Sequence, residues 1–408
     1  MKNGTIIVGA GHAGVQAAAS LREEGYDGPV VLIGEESELP YHKPPLSKTF
    51  IKDTQAKPQL LRGESFYAAN NIDYRPGLHV ADIDLAGRRL EFAGGAPMVF
   101  DRLILATGSR PRRLPIEGAG LAGVVSLRDV ADARLIRELS GTCADVVVLG
   151  GGFIGLEIAA TLRAAGRNVT VVEAADRLLG RVVAPPIGAH VRQRLADLGV
   201  RILTGMTASR LEGENGHVSA AVTSAGERLP AQLVIVGVGV VPNAELAGRA
   251  GIAISNGIRV DAQMRTSVPE VLSVGDVASY RHWFTGGDVR LESVQNATDQ
   301  ARLAARTIAG GTDAYAAVPW FWSDIGDMKL QMVGLTAGAD THLVVGEPQE
   351  NRFCVYHFAG GRLVAIESVN RPADHMLGRK MLGAGFSPSR ETVLQGADAL
   401  KAALAAAG

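Results

Sequence analysis

Cysteine is almost missing from this chain of 408 residues. It occurs twice, as Cys143 and Cys354, far apart and never as C-x-x-C. That excludes a local zinc site and a thioredoxin-like dithiol, and two buried free thiols are expected. An excess of either charge is missing too. The formal net charge is −1 and the sequence pI is about 6.8, so nucleic acid is not an expected partner. No apolar run is long enough to span a bilayer. The longest, "VVVLGGGFIGLEIAATL" (146–162), carries Glu157 and four glycines. No H-x-x-H, H-E-x-x-H or G-x-S-x-G occurs, so neither a metal site nor a serine hydrolase is assigned. The opening "MKNGTIIVGAGHAG" reads as a strand entering a turn rather than a signal peptide, and a cytoplasmic protein is expected.

Glycine is plentiful, with 50 residues gathered at motifs, which points to many tight turns in an α/β protein. One pattern occurs twice. "TIIVGAGHAGVQAAASLREEGYDGPVVLIGEE" (5–36) and "DVVVLGGGFIGLEIAATLRAAGRNVTVVEAADR" (145–177) each run strand, G-x-G-x-x-G, alanine-rich helix, strand and acid. The second helix is expected to stop near Gly166. Both segments are predicted to be βαβ dinucleotide-binding units. In the first, Gly9 permits the tight turn, Gly11 admits a pyrophosphate and Gly14 lets helix pack on strand, with Glu35 for a ribose. The second uses Gly150, Gly152 and Gly155. Its acid, Glu173, stands 23 residues after Gly150, close to the ~20 expected. Glu173 suits a ribose 2′-OH and repels a 2′-phosphate, and Ala174 and Ala175 follow it, so NADH is expected over NADPH; Arg177 and Arg181 nearby count the other way. Two such units imply two cofactors that meet, FAD and NAD(H).

The ordered set "IIVGAGHAG", "LILATGSRPR", "VVVLGGGFIGLEIA", "VVPN" and "VLSVGDVA" resembles the two-dinucleotide-domain flavoprotein reductases over essentially the whole chain. The fold implied has two Rossmann-like FAD/NAD-binding domains of the glutathione-reductase type plus a C-terminal α+β domain. The FAD domain is expected at 1–110 and 245–318, the NAD domain at 111–244 and the C-terminal domain at 319–408.

Disulfide reductases and peroxidases of that shape carry cysteine near position 40. This chain has "PYHKPPLSK" (40–48) instead. "PPLSK", "GGFIGLE" and "PWFWSD" resemble the FAD-dependent ferredoxin reductases of bacterial oxygenase systems, putidaredoxin-reductase-like proteins above all. The resemblance implies that Lys48, held by Pro44 and Pro45, pairs with Glu157 on the first turn of the nicotinamide-side helix, both acting by position and charge. It also implies Ala13, Val80, Ala106, Thr107, Gly108, Arg128, Gly275, Asp276, Val294 and Trp322 for FAD. For NADH it implies Phe153, Ile154 and Gly239.

"PWFWSD" reads as a glycine-poor turn whose tryptophans could simply be core, and the resemblance implies that an aromatic there covers the flavin edge facing the iron–sulfur partner. Trp320, with Arg302, Lys329, Arg379 and Lys380, is expected to form a basic docking surface for an acidic [2Fe–2S] ferredoxin. The family usually has a lysine where Gln331 stands here, and Lys329 is placed to serve the same strand face.

The function implied is NADH:ferredoxin oxidoreductase supplying a cytochrome P450, in a monomer or weak dimer. Alternatives are a reductase for a Rieske dioxygenase or rubredoxin, an NADH oxidase or peroxidase, and an NADH-sensing flavoprotein. The missing cysteine near position 40 counts against a peroxidatic cycle. The sensing role calls for a targeting segment and an added basic region, and neither is read here.

Overall fold

The structure is a computed structural model that describes residues 3–407; Met1, Lys2 and Gly408, which the expected first and last domains include, lie outside the described residues. The chain forms two compact units. One comprises Met1–His42, Gln59–Arg110 and Val241–Ala317, the other Lys43–Pro58, Pro111–Val240 and Val318–Gly408.

The first unit is built on a parallel sheet in the order Val271–Ser273, Arg102–Leu105, Thr5–Val8, Val30–Ile33, Ile72–Arg75. Strands covered on both faces read as unbroken β-branched runs, and Ile6, Ile7, Leu32 and Ile104 are buried accordingly. Helix His12–Glu23 lies on this sheet beside helix Val294–Ile308. Ala17 and Ala18 of one meet Ala301, Ala304 and Ala305 of the other in one cluster, because small side chains let the two backbones come close.

The second unit repeats the plan. Its parallel sheet runs Arg201–Thr204, Asn168–Glu173, Asp145–Leu149, Leu233–Val236, Val124–Val125. Helix Phe153–Ala164 follows the central strand, and Gly166 (φ +83°) turns the chain just beyond its end. The same unit holds an antiparallel sheet ordered Trp320–Ile325, Met328–Gly334, Arg362–Val369, Arg352–Ala359, Thr341–Glu347, with helix Pro372–Gly383 upon it.

These units divide the chain differently from the boundaries expected from sequence. Ile51 of the 43–58 segment, and Ile325, Leu330, Phe353, Val355 and Val369 of the C-terminal sheet, share one apolar core with Val146, Leu156 and Ile158. Burial of common apolar surface therefore joins three stretches that sequence order keeps apart. Among the described residues no helix is long and apolar enough to cross a membrane.

Candidate active site

In each glycine loop the three glycines serve different needs. A Cβ on Gly9 (φ +108°) would stand 2.2 Å from the Ala106 carbonyl oxygen, and one on Gly14 would stand 1.8 Å from that of Gly9. Packing within the protein thus excludes a side chain at both. A Cβ on Gly11 would meet nothing within 4 Å. The second loop repeats this: Gly150 and Gly155 are crowded by Gly237 and Gly150 carbonyl oxygens, at 2.4 and 2.6 Å, while Gly152 faces open space. Gly11 and Gly152 are the N-caps of helices His12–Glu23 and Phe153–Ala164, and neither helix has a side-chain cap. Open space before uncapped N–H groups fits a pyrophosphate at each loop.

The two acids differ. Glu35 is exposed, and its Oε1 lies 3.0 Å from His79 Nδ1. Glu173 is folded onto its own loop, accepting from Gly151 N at 2.5 Å and from Ala175 N at 2.7 Å. Nearby Arg177 donates to the Val183 and Gly180 carbonyls, at 2.8 and 2.6 Å. Its guanidinium is spent on shaping the loop, which removes the nearer of the two cations suited to a 2′-phosphate.

In the first unit, "ATG" and "VVPN" meet. Thr107 Oγ1 donates to the Asn243 carbonyl, and Asn243 Nδ2 donates to the Thr107 carbonyl, both at 2.8 Å. Gly108 follows with φ +66°, and the Ser109 hydroxyl donates to Asp276 Oδ2 at 3.1 Å. Gly275 (φ +80°) lies against Ala13, and its N–H reaches Gln300 at 2.8 Å. Thus Gly9, Ala13, Gly14, Ala106, Thr107, Gly275 and Asp276 are drawn together. Val80 is buried at the head of strand Val80–Asp84, and Val294 opens helix Val294–Ile308 behind its N-cap Ser293.

The second unit carries Lys48 and Glu157. Residues Pro44–Ser47 form a 3₁₀ turn with its prolines at the start, where a missing N–H costs nothing. That turn presents Ser47 and Lys48 to helix Phe153–Ala164. The Lys48 ammonium lies 2.8 Å from Glu157 Oε2, and the Ser47 hydroxyl donates to the same oxygen at 2.5 Å. From the C-terminal sheet the Ser323 hydroxyl donates to Oε1 at 2.6 Å. Glu157 is 4% exposed. A buried carboxylate needs such donors, since desolvation alone would expel its charge. The helix begins at Phe153, so Glu157 stands on its second turn, not on the first as the sequence suggested.

"PWFWSD" is not a turn. Trp320–Ile325 is an edge strand paired antiparallel with Met328–Gly334; its own aromatic residues, Trp320, Phe321 and Trp322, suit a pleated strand. Trp320 and Trp322 share one face, with centroids 5.6 Å apart; Arg379 lies 4.5 Å from the Trp320 centroid, and His375 packs edge-on at 5.9 Å. Burial, with Arg379 beside it, pushes the His375 imidazole down to about 4. Lys329 and Lys380 are exposed, and Lys329 shares a strand face with Gln331. Arg302 belongs to the other unit and pairs with Asp299 at 2.8 Å. Arg128 precedes helix Val130–Thr142, and its N–H donates to Asp132 at 2.7 Å. Phe153 packs on Phe321, Ile154 is 47% exposed, and Gly239 is exposed with φ +98°.

Both thiols are free and buried, and burial pushes each of them up. Ser47, Ser323 and Asn243 were missed as site residues. All three lie inside the motifs that signalled the family, but a serine or asparagine in a short motif does not announce which distant group it meets.

The family description "Pyridine nucleotide-disulphide oxidoreductase" matches residues 4–301, and "Reductase C-terminal" matches 320–404. Rhodocoxin reductase of Rhodococcus erythropolis is 42% identical over 378 residues, 92% of this chain and 88% of that one. Rubredoxin-NAD(+) reductase of Pseudomonas putida is 42% identical over 368 residues, 90% and 96% of the two chains. The solved structure of the ferredoxin reductase for the CYP199A2 system from Rhodopseudomonas palustris superposes with a TM-score of 0.94 at 43% identity, covering 96% of this chain and 97% of that one. With two dinucleotide loops that fit FAD and a pyridine nucleotide, and with this coverage, the chain belongs to the pyridine nucleotide-disulphide oxidoreductase family.

Proposed function

We propose that this oxidoreductase takes electrons from NADH and delivers them to a [2Fe–2S] ferredoxin that serves a cytochrome P450, in the cytoplasm. The observation that carries the reading is the state of its sulfur. The two thiols are buried and unpaired, so no dithiol can hold the electron pair, and the acceptor must lie outside the chain. FAD held at the first loop would supply that link, as an acceptor of hydride from NADH that can release electrons one at a time.

The chain's own residues position and insulate. The loops at Gly11 and Gly152 would hold the two pyrophosphates; Glu35 and Glu173 would take the riboses, and Asp276 with Val80, Thr107, Gly108 and Val294 would seat the rest of FAD. Phe153, Ile154 and Gly239 would line the nicotinamide path. Lys48 and Glu157 would set the charge at the transfer site. Lys48, Arg128 and Trp322 are assigned to the flavin by resemblance alone. Trp320, Lys329, Arg379 and Lys380, together with Arg302, are proposed to meet the acidic ferredoxin. The domains we propose remain 1–110 with 245–318 for FAD, 111–244 for NAD and 319–408 as a C-terminal α+β domain.

A second reading keeps the chemistry and changes the partner to a rubredoxin or a Rieske system. It is favoured by Gln331, which stands where the ferredoxin-linked family usually has lysine. NADH consumption by the purified yellow protein, with cytochrome c as final acceptor, separates these readings. Strong acceleration by a P450-type [2Fe–2S] ferredoxin, lost at high salt, is expected. Acceleration by rubredoxin instead supports the second reading. Equal turnover with oxygen or peroxide alone overturns both in favour of an oxidase.

A further inference from the structure

The strand Trp320–Ile325 has two faces with different attachments. Alternation puts Trp320, Trp322 and Asp324 on one side and Phe321, Ser323 and Ile325 on the other. The second side is fastened along helix Phe153–Ala164. Phe321 packs on Phe153 with centroids 4.8 Å apart, and Ser323 donates to Glu157 at 2.6 Å. Just past the strand, a Cβ on Gly326 would stand 3.9 Å from that of Ala160. Phe153, Glu157 and Ala160 follow the i, i+4, i+7 spacing of one helix face.

Ser323 is fully buried and is the polar rung of this ladder. The two apolar rungs tolerate sliding, because dispersion contacts are non-directional. A hydroxyl donating to a carboxylate is directional and short. Among the described residues, Glu157 is otherwise held through its other oxygen, by Ser47 and Lys48. The Ser323 bond therefore fixes two things at once: the rotation of the Glu157 carboxylate, and the register of the strand whose opposite face bears the paired indoles.

We propose that Ser323 is a positioning residue of the reductase, which locks the indole-bearing strand to the nicotinamide-side helix through Glu157. This rests on the reductase function proposed above. The role belongs to the hydroxyl rather than to side-chain volume, and it acts on the rate of electron entry rather than on the affinity for pyridine nucleotide.

Ser323→Ala and Ser323→Thr, each purified with FAD bound, test this by rapid mixing with NADH. In Ser323→Ala the limiting rate of flavin bleaching should fall about tenfold, while the NADH concentration giving half that rate changes less than about twofold. Threonine keeps the hydroxyl and suits a strand, so Ser323→Thr should recover most of the rate. Ser47→Ala should cost less than Ser323→Ala, because Lys48 still holds the same oxygen. Hydrogen exchange read by mass spectrometry gives a readout free of turnover: peptides covering 320–325 should exchange faster in the alanine variant and near normally in the threonine variant.

An alanine variant that bleaches as fast as wild type, or a threonine variant as slow as alanine, overturns the role of Ser323. Failure of the wild-type protein to bleach with NADH would instead overturn the reductase function itself, so the two failures are distinguishable.

Discussion

The guanidinium of Arg379 lies 4.5 Å from the ring centroid of Trp320, which in turn leans on Trp322 at 5.6 Å. A cation fixed over an indole at a partly exposed face is held for about 0.5–1 kcal/mol. Arg379→Ala should slow ferredoxin-dependent cytochrome c reduction several-fold at low ionic strength. The deficit should shrink toward nothing near ~0.5 M salt, where screening cancels steering. Stopped-flow runs across a salt series check this; a deficit that persists at high salt points to packing instead.

The glycine loops make opposite forecasts for neighbouring positions. Gly14→Ala places a Cβ 1.8 Å from a backbone oxygen, whereas Gly11→Ala and Gly152→Ala place one in open space. Gly14→Ala should therefore express poorly or melt early. Gly11→Ala should fold yet purify without yellow colour, and Gly152→Ala should keep the flavin but lose NADH-driven bleaching. Absorbance at the flavin band, together with thermal melts, separates the three.

Removing one member of the Lys48–Glu157 pair should cost more than removing both. Lys48→Met leaves a carboxylate that is 4% exposed without its counter-charge, a loss of about 3 kcal/mol. Lys48→Met with Glu157→Gln should regain much of that. Urea denaturation of the two variants gives the comparison.

His375 is 2% exposed and is held neutral from its ordinary 6.5 down to about 4, by burial first and by Arg379 second. Only the unfolded chain takes up a proton between those values. Stability from this residue is thus complete above about pH 6.5 and drains as pH falls toward 4, by about 3 kcal/mol in total. His42 and His282, also lowered by burial, add in the same direction. Denaturation at pH 7.5 and pH 5 should show a smaller difference in His375→Gln than in wild type.

Cofactor preference should follow Glu173, not Arg177. Both Glu173 oxygens are fixed by loop N–H groups, and Arg177 is tied to two carbonyls. Glu173→Ala should cut kcat/KM for NADH about tenfold or more and narrow the gap to NADPH. Arg177→Ala should loosen the loop and lower the melting temperature without raising NADPH use.

Much of this was legible because it is local. Strand, glycine turn, helix and acid sit within about 30 residues of each other, so both nucleotide units could be read from spacing alone. The Lys48–Glu157 pair was legible only through resemblance, since nothing in either segment names the other. Ser323 was not legible. Its motif looked like a turn, because two tryptophans between proline and aspartate give no period long enough to separate a strand from a loop, and its partner lies 166 positions away. The place of residues 43–58 was hidden for a similar reason. Ile51 reveals its allegiance only when the core that receives it has formed.

The silence of Cys143 and Cys354 has a practical side. With both native thiols sealed away, one cysteine introduced at exposed Met376, whose sulfur lies 4.0 Å from the Arg379 guanidinium, would be the sole site open to a maleimide. The protein is thus ready-made for a single spectroscopic label at the face proposed to receive its partner, with no native cysteine to be removed first.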